Sequence, residues 1–213
     1  MGFFITFEGI EGSGKTTQIR KAGDYLDTRN IPFIITEEPG GTELGSELRQ
    51  ILLNRTSLHI VEKAELLLFA ADRAQHIEEI VLPAMKGGKV VLCDRFSDAT
   101  VAYQGYGRGL GLEFIKVVNN FSSQSLTPEL TLLFDIPVET GLERIKKRAS
   151  QMGKVPLDDR FESEKTEFHQ RIRDGYLSLL RDEPDRIRLI DGSGNMDEVT
   201  QKVCHYMAEL IDR

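Results

Sequence analysis

Short apolar runs alternate along this chain with longer stretches of helical periodicity. Residues 3–7, 33–36, 90–92, 130–134 and 187–190 are β-prone and almost continuously apolar. Unbroken runs of that length mark parallel strands covered on both faces. Between them, residues 15–28 set Ile19, Ala22, Tyr25 and Leu26 on one helical stripe, and 61–85 carry Leu66, Phe69, Ala70, Ile77 and Val81. Phe168, Ile172, Leu179 and Leu180 mark a further helix, and Val199, Val203 and Leu210 a last one. Strand alternating with helix predicts an α/β fold, an open sheet with right-handed crossovers. Five runs give a five-stranded parallel sheet flanked by helices. Ligands in such sheets collect outside the carboxyl ends of the strands, so functional residues are expected directly after the runs.

Length and charge narrow this picture. A chain of 213 residues buries one sizeable core, and we expect a single domain over 1–213. Its formal net charge of −7 argues against nonspecific nucleic-acid binding and against anionic membranes, which both need a basic surface. Any phosphate chemistry therefore requires Lys and Arg gathered locally. No apolar run is long enough to span a membrane, and Glu8 interrupts what could have been a signal peptide. Residues 1–6 fit a loose myristoylation pattern but read better as the first buried strand. Cys93 and Cys204 lie far apart without metal-ligand spacing, as suits a reducing cytoplasm. The least regular stretch, 149–162, carries Gly153, Pro156 and mixed charges between helical patterns. That composition suits a short lid, and equally a plain surface loop.

The strongest chemical signal follows the first run. Gly9-Ile10-Glu11-Gly12-Ser13-Gly14-Lys15-Thr16, with Thr17 after it, is a phosphate-binding loop between a strand and a helix. Gly9, Gly12 and Gly14 let the backbone turn tightly and approach phosphates, and successive N–H groups with the helix N-terminus hold anionic oxygens. Lys15 is positioned for the β- and γ-phosphates of a nucleoside triphosphate, and the Thr16 hydroxyl for Mg2+. Asp94-Arg95 directly follows the third run, where an Asp can organise Mg2+ and an Arg can clamp a phosphate. Taken alone, the pair reads equally well as a strand-end salt bridge. Glu38-Pro39-Gly40-Gly41-Thr42 turns the chain from the second run into a helix from Glu43 to Leu53. Phe69 and Arg73 sit one helical turn apart on one face, able to stack on and hydrogen-bond to a base; core packing and an ion pair are the plain alternative. Gln104, in Ala102-Tyr103-Gln104-Gly105, offers an amide for a base edge. Arg144, Lys146, Lys147, Arg148, Lys154 and Arg160 form a basic cluster beside the lid candidate. The four His residues read as surface or core fillers.

These residues in this order resemble the bacterial thymidylate kinase family of the P-loop nucleoside monophosphate kinases. The match runs from Phe7-Glu8-Gly9 through Glu38-Pro39-Gly40-Gly41-Thr42, Leu48-Arg49, Phe69 with Arg73, Asp94-Arg95-Phe96, Ala102-Tyr103-Gln104-Gly105 and Asp159-Arg160-Phe161-Glu162 to Ile190-Asp191-Gly192. The resemblance implies a P-loop kinase fold, transfer of a phosphoryl group from magnesium ATP to thymidine monophosphate, and a homodimer. It implies that Phe69 stacks on thymine, that Arg73 and Gln104 hydrogen-bond to it, and that Glu11 approaches the sugar 3′-hydroxyl. Arg95 would hold the acceptor phosphate, with Glu38 and Arg49 bordering the pocket. Family members carry their catalytic arginine either inside the P-loop or in the lid. Gly12 puts this chain in the second group and nominates Arg148, Lys154 and Arg160.

Two positions depart from the family pattern. Glu37 stands where Arg is usual, and Ala99 where a hydroxyl residue is common. Glu37 is expected to face outward or to be offset by another cation. The rival readings are a kinase for another nucleoside monophosphate, a GTPase switch and a non-catalytic nucleotide-binding protein. The guanine-reading Asn/Thr-Lys-x-Asp string of a GTPase is missing from the sequence.

Overall fold

The computed structural model describes residues 2–54, 58–151 and 160–212. Five strands, β1 (Phe4–Glu8), β2 (Phe33–Glu37), β3 (Val90–Asp94), β4 (Leu130–Asp135) and β5 (Ile187–Asp191), pair in parallel in the order β2-β3-β1-β4-β5. Each extends its apolar run to a carboxylate: Glu8, Glu37, Asp94, Asp135 and Asp191. Hydrophobicity stops short of the strand end because that end opens toward the mouth of the sheet. The register sets Phe7 beside Asp94 and Glu8 beside Leu133, so the P-loop and the Asp94-Arg95 pair leave neighbouring strands at the same edge.

Helices cover both faces. They are α1 (Lys15–Thr28), α2 (Glu43–Leu53), α3 (Glu62–His76), α4 (Leu82–Lys86), α5 (Ser97–Thr100), α6 (Leu112–Ser122), α7 (Val138–Gln151), α8 (Thr166–Asp182) and α9 (Met196–Ile211). α1 and α9 close one face over Ile5, Phe7, Leu132, Val203 and Met207. On the other side, Phe4, Val91, Cys93 and Phe96 pack with Ile77, Val81 and Met85. A third cluster, Tyr103, Phe161, Phe168, Ile172 and Tyr176, lies under the mouth. Gly2 donates its N–H to Met85 O at 2.9 Å, so the N-terminal residues enter the core with β1.

Two expectations change in detail. The helix expected over 61–85 is α3 and α4 joined by a π turn, Ile77–Val81. A second π turn, Val101–Gly107, follows α5. Such wide turns redirect side chains and concentrate at functional sites. Periodicity also misses α6, because Phe114, Val117 and Phe121 face solvent while Asn119 and Ser122 are buried. Among the described residues no helix is long and apolar enough to cross a membrane.

Candidate active site

The P-loop hangs on β1 and opens α1. Gly9, Gly12 and Gly14 all take positive φ, and a Cβ on Gly12 would lie 2.4 Å from the Gly141 carbonyl oxygen of α7. Only glycine satisfies both the backbone angle and this close approach. Lys15 is buried and donates to the carbonyls of Gly9 (3.0 Å) and Ile10 (2.9 Å). Its desolvation, reinforced by nearby Arg95, lowers its pKa to about 8. The Thr16 hydroxyl donates to Asp94 Oδ2 at 3.3 Å, which joins the loop to the end of β3.

Arg95 sits at φ 71°, a left-handed conformation that costs a non-glycine residue energy. Its surroundings hold it there. Backbone N–H donates to Phe7 O, Nη1 to Gly9 O (3.0 Å) and Tyr176 Oη (3.1 Å), and Nη2 to Glu11 Oε1 (3.0 Å). The guanidinium also lies over the Tyr103 ring, whose hydroxyl donates to Glu11. Burial, the largest single influence, would raise the Glu11 carboxyl, but Arg95 together with His169, Lys15 and the Tyr103 hydroxyl outweighs it and holds Glu11 well below the usual carboxylate range. Behind Arg95, Tyr176 donates to Glu8 Oε2 and Phe96 N–H to Glu8 Oε1, both at 2.7 Å. Burial first, then the nearby Asp98 charge, push Glu8 up to about 7.

A cleft opens between these elements and α3. Glu11, Gly12, Lys15, Thr16, Asp94 and Arg95 form its loop side; Glu38, Arg49, Phe69, Arg73, Gln104 and Arg148 complete it. Arg73 is almost fully buried and donates to Glu38 Oε2 (2.9 Å), Asn119 Oδ1 (2.9 Å) and Thr100 Oγ1 (3.0 Å). A guanidinium has five N–H donors, so two remain beyond these bonds. His76 meets the other Glu38 oxygen at 2.9 Å and Thr36 at 2.7 Å, so it orders the site's supporting carboxylate and is more than a filler. His169 is likewise buried, with Nδ1 3.6 Å from Glu11 Oε2.

Some candidates sit apart. Arg148 borders the cleft and donates to Glu162 at 3.2 Å. Arg160 does not line it: its backbone N–H and Nε hold Leu53 O (2.8 Å) and Leu52 O (2.9 Å) at the end of α2, and Nη2 lies 2.7 Å from Glu65. Lys154 and Asp159 lie outside the described residues. In the P-loop, Gly9 and Ile10 are buried behind Lys15, Ser13 Oγ accepts from Lys15 Nζ at 3.4 Å, and Thr17 is exposed on α1.

Comparison with known proteins decides the family. A family model described as thymidylate kinase matches residues 7–203. A thymidylate kinase of Syntrophus aciditrophicus (strain SB) is 49% identical over 210 residues, covering 99% of this chain and 96% of that relative. One of Desulfovibrio desulfuricans (strain ATCC 27774 / DSM 6949 / MB) is 49% identical over 196 residues, covering 92% and 90%. One of Protochlamydia amoebophila (strain UWE25) is 48% identical over 212 residues, covering 98% and 93%. The chain belongs to the thymidylate kinase family.

Within the thymidylate kinase frame, the two departures acquire a geometry. Glu37 is exposed at the cleft rim and pairs with Arg49 at 3.0 Å, while Arg49 also donates to Pro39 O at 2.6 Å. The reversed charge therefore has its own counter-cation. Ala99 lines the cleft and brings no polar group to it. Among the supporting residues, Tyr176, Asn119 and Glu65 were not singled out from the sequence, and Glu8 entered only within the Phe7-Glu8-Gly9 string and as a break in the apolar N-terminus, with no supporting role. Tyr176 lies on the apolar face of α8, where periodicity files it with the core. Glu65 did leave a signal: with Phe69 and Arg73 it forms an i, i+4, i+8 row, an acid on a buried face.

Proposed function

We infer that the protein transfers the terminal phosphoryl group of ATP to thymidine monophosphate, giving thymidine diphosphate and ADP. One observation carries this reading: a phosphate-binding loop and a pocket of ring, amide and guanidinium share a single cleft at the carboxyl ends of β1 and β3. The loop from Gly9 to Thr17 holds the donor phosphates. Phe69 stacks on the base, Gln104 and Arg73 read its edge, Glu11 meets the sugar, and Arg49 with Arg95 receives the acceptor phosphate. An oxygen of that phosphate attacks the γ-phosphorus, and the bond to the bridging oxygen breaks with its electrons passing to ADP. Such a reaction needs alignment and charge neutralisation more than a general base. Lys15, Arg95 and Arg148 supply the fixed cations, and Arg160 acts through the packing of the lid root.

The donor set also fits Mg2+. Thr16 and Asp94 offer a hydroxyl and a carboxylate oxygen side by side, and no cluster of three or more metal-ligating acids, His or Cys occurs among the described residues. Mg2+ keeps waters and phosphate ligands, so one or two protein oxygens suffice. When bound it neutralises charge on the β- and γ-phosphates.

We read 1–213 as one kinase domain with its lid at about 149–162. The free thiols of Cys93 and Cys204 support a cytoplasmic setting. Exposed Leu67 on α3 and Phe114, Val117 and Phe121 on α6 form an apolar face that supports a homodimer. Val117→Asp with Phe121→Asp should convert a dimer to a monomer in light scattering; dimers that persist overturn this face as the interface.

ADP release measured across nucleoside monophosphates tests the activity. The largest kcat/KM is expected with thymidine monophosphate, and a higher value with adenylate or uridylate overturns the assignment. ATP affinity of the free protein should fall as pH rises through about 8, where Lys15 loses its proton. Lys15→Arg, charged throughout, should abolish that dependence in calorimetric titrations; a limb that survives excludes Lys15 as its source.

A further inference from the structure

Glu65 is fully buried in the first turn of α3 and does not line the cleft. Its Oε1 accepts from Gln104 Nε2 at 2.9 Å and from Arg108 Nε at 3.2 Å. Its Oε2 accepts from Arg108 Nη2 at 3.2 Å and lies 2.7 Å from Arg160 Nη2. Two guanidinium groups thus clamp the carboxylate in place behind Gln104. Gln104 itself sits on the second π turn, is 2% exposed, and borders the cleft. Among the described residues no side-chain or backbone donor reaches its Oε1.

We propose that Glu65 sets the base preference of the site by fixing which end of the Gln104 amide faces the cleft. A carboxylate paired with two arginines accepts hydrogen bonds and donates none. An amide turned over would bring its own oxygen against Glu65 Oε1, two buried acceptors at hydrogen-bonding distance with no proton between them. Gln104 therefore shows the cleft a carbonyl oxygen. That oxygen suits a pyrimidine whose ring N3 carries a proton, as in thymine. A cytosine ring presents a bare N3 lone pair at the same place and meets the oxygen unpaired. Sites built around one hydrogen-bond polarity reject the mismatched partner strongly. Glu65 is a positioning residue here, acting through Gln104. The inference rests on the reading that Gln104 faces the acceptor base.

The probes are thymidine monophosphate and 5-methyldeoxycytidine monophosphate, which keep the same methyl group and differ at the base edge. The native protein should favour the thymidine form by about 100-fold or more in kcat/KM. In Glu65→Gln the new carboxamide can donate to a turned Gln104, so this ratio should fall at least tenfold. A purely structural role would lower thermal stability and affect both substrates alike, leaving the ratio intact. Where Glu65→Gln does not fold, Glu65→Asp keeps the charge that the arginines need and draws the carboxylate back by one methylene. The same fall in ratio is expected there. An unchanged ratio in either folded variant overturns the proposal. Gln104→Leu separates the two layers: a ratio lost in Gln104→Leu but kept in Glu65→Gln overturns the role of Glu65 alone. A ratio kept in Gln104→Leu overturns the placement of Gln104 against the base as well.

Discussion

Arg95→Ala should lower kcat by about 1000-fold or more, the range seen when an arginine that stabilises a transferring phosphoryl group is removed. The loss should exceed that of a mere surface cation because Arg95 is fixed before substrate arrives. Four interactions, from Gly9, Tyr176, Glu11 and the Tyr103 ring, hold its guanidinium. The same packing adds a stability cost. Glu11 would be left mostly buried without its cation, and breaking such a pair costs about 3–5 kcal/mol. Adding Glu11→Gln removes the stranded charge, so the double variant should regain much of the melting temperature but none of the turnover. Steady-state kinetics and thermal unfolding of both variants check this. Near-native turnover in folded Arg95→Ala would remove Arg95 from the reaction.

Gly12→Arg is expected to disable the protein. Transplanting the P-loop arginine of the other family group puts a side chain at φ 73° and a Cβ 2.4 Å from the Gly141 carbonyl. Left-handed strain together with overpacking against backbone amounts to about 2–4 kcal/mol. ATP affinity should drop more than tenfold as the loop shifts off its phosphate-binding geometry. Unfolding curves and ATP titrations give both numbers. A stable variant with preserved ATP affinity would mean that α7 yields to the loop, and the two arginine arrangements would then be interchangeable in this chain.

Much of this architecture was legible without coordinates, and the reasons are particular. The central strands announced themselves because both their faces are covered, so Val90, Val91 and Leu92 read as one apolar run, while the edge strands β2 and β5 kept apolar runs despite exposed Ile35 and Leu189. The P-loop was legible because its glycines answer local backbone demands. α6 was not, since its solvent side is the apolar one and its inner side carries Asn119, which is spent on Arg73. The placement of Arg160 also lay beyond sequence reasoning: a basic residue beside an irregular stretch suggests phosphate, whereas carbonyls of Leu52 and Leu53 together with Glu65 hold it. Those partners lie about a hundred positions away along the chain, and no local pattern encodes them.

The carboxylates that end the five strands give the mouth of the sheet a behaviour of its own. Glu37 already holds Arg49, and Asp135 takes Arg173 through two bonds of 2.7 and 2.9 Å. Glu11 does the same for Arg95 from the adjoining loop. Arginines at this mouth are therefore already paired in the free protein. On the proposed function, an arriving phosphate competes with the carboxylates that hold Arg49 and Arg95. Such competition would cancel much of the gain from the new contact. An acidic protein can in this way gather cations around a highly charged substrate and still let go of it at every turnover.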